Sequence, residues 1–121
     1  MRITPKQVKD YRSAFVKQQN GICPLCKQPI TAQDKVHLDH DHVTGHLRAA
    51  LHGACNLGLG KVERAARMTK SQYDFMANLY EYVKSHRDKP CGIIHPSHLT
   101  KQERQDKAKR KRQRVNRLRT K

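Results

Sequence analysis

The sequence contains no tryptophan, four tyrosines and two phenylalanines, and only 36% of its 121 residues are apolar. With a mean hydropathy of −0.94, a chain of this length should form one small domain with an extension, around a thin core. Such a core needs help from a metal, disulfides or a partner. Acidic residues are scarce as well: ten Asp and Glu face 26 Lys and Arg, for a formal net charge of +16. No run approaches the roughly 20 apolar residues of a membrane span, and the opening MRITPKQVKDYR lacks an apolar signal core. A reducing cytoplasm is therefore expected, where cysteines hold zinc or do redox work more often than they cross-link. The basic segments also lack the Trp/Phe/Leu face of membrane-surface helices, so the positive field is expected to meet nucleic acid and no membrane.

Local patterns divide the chain into four parts. Residues 1–22 read as an N-terminal helix: Thr4-Pro5-x-Gln7 supplies a cap, Val8, Tyr11, Phe15 and Val16 recur at helical spacing, and Asn20-Gly21 stops it. Residues 23–68 read as the core. There Val36–Asp41 alternates like a strand, Thr44-Gly45 supplies a turn, and Leu47–Leu51 is the hairpin partner. A helix follows from near Gly53 to Arg67, although Gly58 and Gly60 weaken it by about 1 kcal/mol each relative to alanine. Residues 69–99 read as a supporting helix and connector. Thr69-x-x-Gln72 is a second capping box, and Tyr73, Met76, Tyr80 and Val83 form an apolar face expected to enter the core, with Phe75, Leu79 and Tyr82 beside it. Residues 100–121 form a basic arm opened by Thr100-x-x-Glu103. From Lys101 onward it carries eleven Lys and Arg against two acids. It is expected to fray when free and to turn helical against phosphates, with Lys109, Arg110, Lys111 and Arg112 as DNA contacts; a solvated tail is the plainer reading.

Two clusters carry chemistry. Structural zinc takes four N or S ligands in a tetrahedron. Cys23-x-x-Cys26 offers two, and His52-x-x-Cys55 offers two more at the same step at a helix start. His46 is the alternative fourth ligand, and a redox pair is the alternative for the first two cysteines; Cys91, alone in the connector, reads as a free thiol. The stretch HLDHDH, residues 37–42, is the second cluster. On a strand Asp39 and Asp41 share one face while His40 and His42 share the other. A division of labour follows. One carboxylate and an amide oxygen suit Mg²⁺ or Mn²⁺, which also accepts phosphate oxygens, while a neighbouring imidazole with an ordinary pKa near 6.5 takes a proton from water. Phosphodiester hydrolysis needs those parts. Asn56 directly follows the last zinc thiol, so a structural zinc would fix where it points. Taken alone, His40 reads as a surface imidazole and Asn56 as a helix cap. His37 and His46 read as hairpin surface or phosphate contacts, and Arg48 as a phosphate clamp or a surface charge.

Asp39-His40-Asp41-His42, Thr44-Gly45, Arg48 and His52-x-x-Cys55-Asn56 together resemble the recombination endonuclease VII type of HNH (ββα-metal, His-Me finger) phage nuclease. The resemblance runs from Cys23 to about Ser97, where Ile94-His95-Pro96 also fits. It implies Asp39 and Asn56 as ligands of a catalytic Mg²⁺ or Mn²⁺, His40 as general base with His42 in support, and Cys23, Cys26, His52 and Cys55 as ligands of a structural zinc. It further implies duplex or branched DNA as substrate, a homodimer, and the cytoplasm of an infected bacterium. Three departures stand out. His52 replaces a cysteine. Leu59 sits where the best-known members carry a glutamate three residues after the asparagine, with Glu63 one turn further on. The basic arm replaces a longer C-terminal domain.

The expected fold is therefore α+β: a small zinc-stabilised ββα-metal domain flanked by helices, with a basic C-terminal arm. Two functions fit the charge and the zinc ligands equally, a Mg²⁺-dependent DNA endonuclease and a non-catalytic zinc-stabilised nucleic-acid-binding module. The aspartates separate them. Carboxylates in a DNA-contacting surface repel phosphate unless a cation lies between.

Overall fold

The computed structural model describes all 121 residues, which fall into two compact units, Met1–Tyr80 and Glu81–Lys121. In the first unit a single 3₁₀ turn at Pro5–Gln7 leads into α1 (Val8–Gln18), followed by β1 (Val36–His40), β2 (Leu47–His52) and α2 (Gly53–Arg67). Helix α3 (Gln72–Asp88) begins in this unit and ends in the second, which also holds α4 (Lys101–Arg119). This is the α+β architecture expected from the patterning.

Each boundary has a local cause. Gln7 Oε1 accepts the Thr4 N–H at 2.8 Å, closing the chain entry to α1. At the other end Asn20 and Gly21 both adopt positive φ, and the Gly21 N–H returns to the Val16 carbonyl at 2.9 Å. The half-buried residues Val8, Tyr11, Phe15 and Val16 turn toward the two-stranded antiparallel sheet, against which α1 packs. Gln19 finishes that contact. Its amide donates to the Ala50 carbonyl at 2.9 Å and accepts the Ala50 N–H at 2.7 Å, filling the place of a third strand's peptide beside β2. The fully buried residues are few: Cys23, Ala50, Leu51 and Ala66, with Asp39 as the one buried polar residue.

The hairpin departs from strict alternation at one point. Val36 pairs with His52 and Asp39 with Ala49, but His40 pairs with Leu47, so Arg48 is an extra residue on β2. Such a bulge bends the strand and re-aims a side chain. Without it Arg48 would face away from Asp39, because residues opposite one another share a face and neighbours alternate. Asp41 lies beyond the end of β1 and does not serve the strand face expected for it. Its Oδ1 accepts the N–H groups of Val43 and Thr44 at 2.8 and 3.1 Å, building the turn that Gly45 completes at φ +79°.

Two expectations for the following helix need correction. The capping box placed at Thr69 does not form: Thr69 Oγ1 donates to the Ala66 carbonyl at 2.6 Å, closing α2, and Ser71 Oγ reaches Asp74 Oδ2 at 2.7 Å beside the start of α3. Of the expected core face only Met76 holds. Tyr73, Tyr80 and Val83 are more than half exposed, whereas Phe75, Met76 and Leu79 are half-buried. Apolar residues cover more than half of this helix's circumference, so periodicity offers two rival faces, and the less exposed one carries Phe75, Met76 and Leu79. In the second unit, α4 is helical along its length and buries no residue. Thr100 Oγ1 accepts the Glu103 N–H at 3.1 Å and the sequence lacks glycine and proline, so the arm expected to fray is capped and continuous here.

Candidate metal centres and active site

Cys23 and Cys26 sit on a knuckle between α1 and β1. The Cys23 N–H bonds the Gln28 carbonyl at 3.0 Å, the Lys27 N–H returns to Cys23 at 2.9 Å, and Lys27 takes a positive φ of 60° to close the loop. His52 ends β2, and Cys55 lies in the first turn of α2. The ligand atoms of Cys23, Cys26, His52 and Cys55 lie within 4.8 Å of one another. Tetrahedral zinc with bonds of about 2.0–2.3 Å needs ligand atoms just under 4 Å apart, so three thiols and an imidazole at this spacing are positioned for zinc. His46 takes no part; its N–H caps Thr44 Oγ1 in the turn. The candidate fourth ligand is His52, whose Nδ1 stands 3.2 Å from Cys26 Sγ. Its other nitrogen, Nε2, is held by the Pro29 carbonyl at 3.1 Å and the Asp34 carboxylate at 3.3 Å, which fixes the ring for coordination.

The protonation pattern suits a cation. Burial opposes ionisation of Cys23, but backbone N–H groups of Cys26, His52 and Leu25 outweigh it and bring the thiol down to about 6. Hydrogen bonds to Cys23 and then Cys26 lift His52 to about 9, and burial followed by contacts with Cys26 and Cys23 pushes Cys55 up to about 11. A metal entering this set displaces the remaining protons.

The second constellation lies along the seam where α2 runs past β1. Asp39 is only 6% exposed, and both of its oxygens are gripped by Arg48, with Nε at 2.7 Å from Oδ2 and Nη2 at 3.2 Å from Oδ1. The opposite edge of the same guanidinium holds Glu63 on α2, with Nη2 at 2.9 Å and Nη1 at 3.3 Å. Hydrogen bonds to Glu63 first, then to Asp39, raise the Arg48 pKa further above its already high value. Two residues before Asp39 on the same strand face, His37 Nδ1 meets Asn56 Nδ2 at 3.2 Å, leaving Asn56 Oδ1 uncommitted. His40 ends β1 and His42 lies just beyond it; both are exposed, their rings 4.7 Å apart.

β1 is thus tied to α2 at two points, His37 to Asn56 and Asp39 through Arg48 to Glu63, with His40 adjacent to Asp39 in the chain. The donor set suits a hard cation. Asp39, Glu63 and Arg48 sum to one negative charge, each Asp39 oxygen keeps a lone pair beyond its Arg48 contact, and the Asn56 carbonyl oxygen is the atom such an ion takes. Arg48 does not present an open fork, because four of its five N–H donors are committed to carboxylates. Lys109, Arg110, Lys111 and Arg112 lie on α4, where about 100° separates successive residues, so the four point in all directions around the helix. Sequence reasoning left His37 as hairpin surface or a phosphate contact, and raised Glu63 only as the acid one turn beyond the missing glutamate. His37 shares the Asp39 face by simple alternation and could have been found; Glu63 enters only through the Arg48 bulge.

Comparison with known families agrees with this geometry. Residues 1–92 match the family model for recombination endonuclease VII, which takes in the knuckle, the hairpin, α2 and all of α3. The chain belongs to the recombination endonuclease VII family of DNA endonucleases.

Proposed function

We propose that this protein hydrolyses phosphodiester bonds in duplex or branched DNA using a water molecule activated by His40, with Mg²⁺ or Mn²⁺ held by Asp39 and Asn56 and a structural zinc held by Cys23, Cys26, His52 and Cys55. The reading rests on one arrangement above all. A buried aspartate lies two residues from the histidine that meets the Asn56 amide, and an exposed histidine follows the aspartate directly.

The divalent cation, when bound, supplies positive charge for the phosphate and for the departing oxygen. His40 accepts a proton from water as the water oxygen attacks phosphorus, and the P–O3′ bond breaks to leave 5′-phosphate and 3′-hydroxyl ends. His42, whose ring lies against that of His40, steadies the imidazole and offers an N–H to the phosphate. The zinc ligands join the knuckle, the end of β2 and the start of α2, so zinc fixes the approach of Asn56 to β1. Helix α4 adds affinity for the DNA backbone through charge.

Incubation with supercoiled plasmid tests this. Wild-type protein in Mg²⁺ or Mn²⁺ is expected to convert it to nicked or linear DNA, EDTA to stop the reaction, and His40→Ala to reduce the rate by about 10² or more while leaving DNA binding intact. Wild-type protein that retards the plasmid but leaves it uncut in both metals would instead favour the non-catalytic binding module.

A further inference from the structure

Glu63 belongs to no motif, yet it completes the best-defined polar contact in the first unit. Its carboxylate takes two donors from Arg48, while Arg48 gives two to the buried Asp39. Asp39 alone with Arg48 would be a neutral pair, offering a divalent cation no net attraction. Glu63 restores one negative charge to the group and draws the Arg48 donors toward α2. Asn56 lies seven residues earlier on that helix, two turns away and therefore on the same face. One helix face thus carries a proposed cation ligand and the group that offsets the counter-charge on the other ligand.

We propose that Glu63 is a positioning residue that sets the divalent-cation affinity of Asp39 by sharing Arg48. The inference rests on the nuclease reading above, which assigns Asp39 to the cation. A plain staple between hairpin and helix would use the same contacts, and charge separates the two roles. Glu63→Gln keeps the size of the side chain but leaves the group neutral. Removing Arg48 as well, in Arg48→Gln with Glu63→Gln, returns the group to one negative charge.

Titration of Mn²⁺ into the zinc-loaded full chain by calorimetry, with zinc content and thermal melting followed in parallel, tests the idea. Wild type is expected to take up one Mn²⁺. Glu63→Gln should bind it about tenfold more weakly, with zinc retained, and the double variant should recover most of that loss. Equal affinity of Glu63→Gln and wild type would overturn the inference. So would a double variant weaker than Glu63→Gln, the result a staple gives, or loss of zinc from Glu63→Gln, which would assign the residue to the fold. A wild-type protein that takes up no Mn²⁺ would instead remove the nuclease reading itself.

Discussion

Stripping zinc should abolish the tertiary structure of the first unit, and the magnitudes say why. Its fully buried apolar residues are Cys23, Ala50, Leu51 and Ala66, of which only Leu51 and Cys23 are large enough to matter much. Burying a leucine side chain stabilises by about 1.5–3 kcal/mol, and alanine by far less, so these four contribute on the order of 5 kcal/mol. A structural zinc in a small domain contributes about 10–16 kcal/mol of apparent folding free energy near neutral pH. The metal term therefore exceeds the buried core, and one member of that core, Cys23, is itself a ligand. The four candidate ligands also join two separate stretches of chain, the knuckle and the junction of β2 with α2. A high-affinity chelator should erase amide-exchange protection at Leu38, Ala50 and Leu51 and remove the cooperative melt. Far-ultraviolet dichroism is a poorer probe, because α4 buries nothing and its helicity does not depend on a core. Cys55→Ala should reproduce the effect of the chelator, whereas His52→Cys should retain zinc through four thiolates. An apo protein that melts cooperatively within a few degrees of the zinc-loaded form would refute the reasoning.

Three shorter predictions follow from individual contacts. Asp34→Ala removes the carboxylate that holds His52 Nε2, and should weaken zinc affinity about tenfold in a competition titration with a chromogenic chelator. Gln19→Ala leaves the N–H and carbonyl of fully buried Ala50 without their partner; urea unfolding of the zinc-loaded protein should show a loss of about 2–3 kcal/mol. Deleting residues 100–121 removes eleven Lys and Arg. Because a helix can turn only about half of them toward one duplex, the slope of log affinity against log salt should fall by about 5. An unchanged slope would show that the arm does not touch the phosphates.

What the sequence disclosed and what it concealed divide along a physical line. Ligand spacing is a local property: a three-residue step in a knuckle or at a helix start brings two side chains to one point whatever surrounds them, so Cys23, Cys26 and Cys55 could be grouped on paper, with His52 or His46 left to complete the set. The hairpin and its turn were equally local, and Asn20-Gly21 stopped α1 where positive φ was needed. Apart from the cap placed at Thr69, the failures concern direction. The apolar residues of α3 allowed two faces, and it is Phe75 and Leu79 that are half-buried while Tyr73 and Tyr80 stand exposed. Arg48 read as a phosphate clamp because its charge was visible and its orientation was not. One unpaired residue in β2 turns it onto Asp39, and the same rotation brings Glu63 into the site from α2, fifteen residues away. A bulge leaves no compositional trace, since it is a shift in register, and a shift in register decides which side chains meet. In this family member, then, the ligands can be found by spacing, whereas the charge balance that tunes them depends on one extra residue in a strand. Comparing substitutions at Arg48 and Glu63 with those at Cys55 should separate the two kinds of information: the former should alter cation affinity in a folded protein, and the latter should remove the fold.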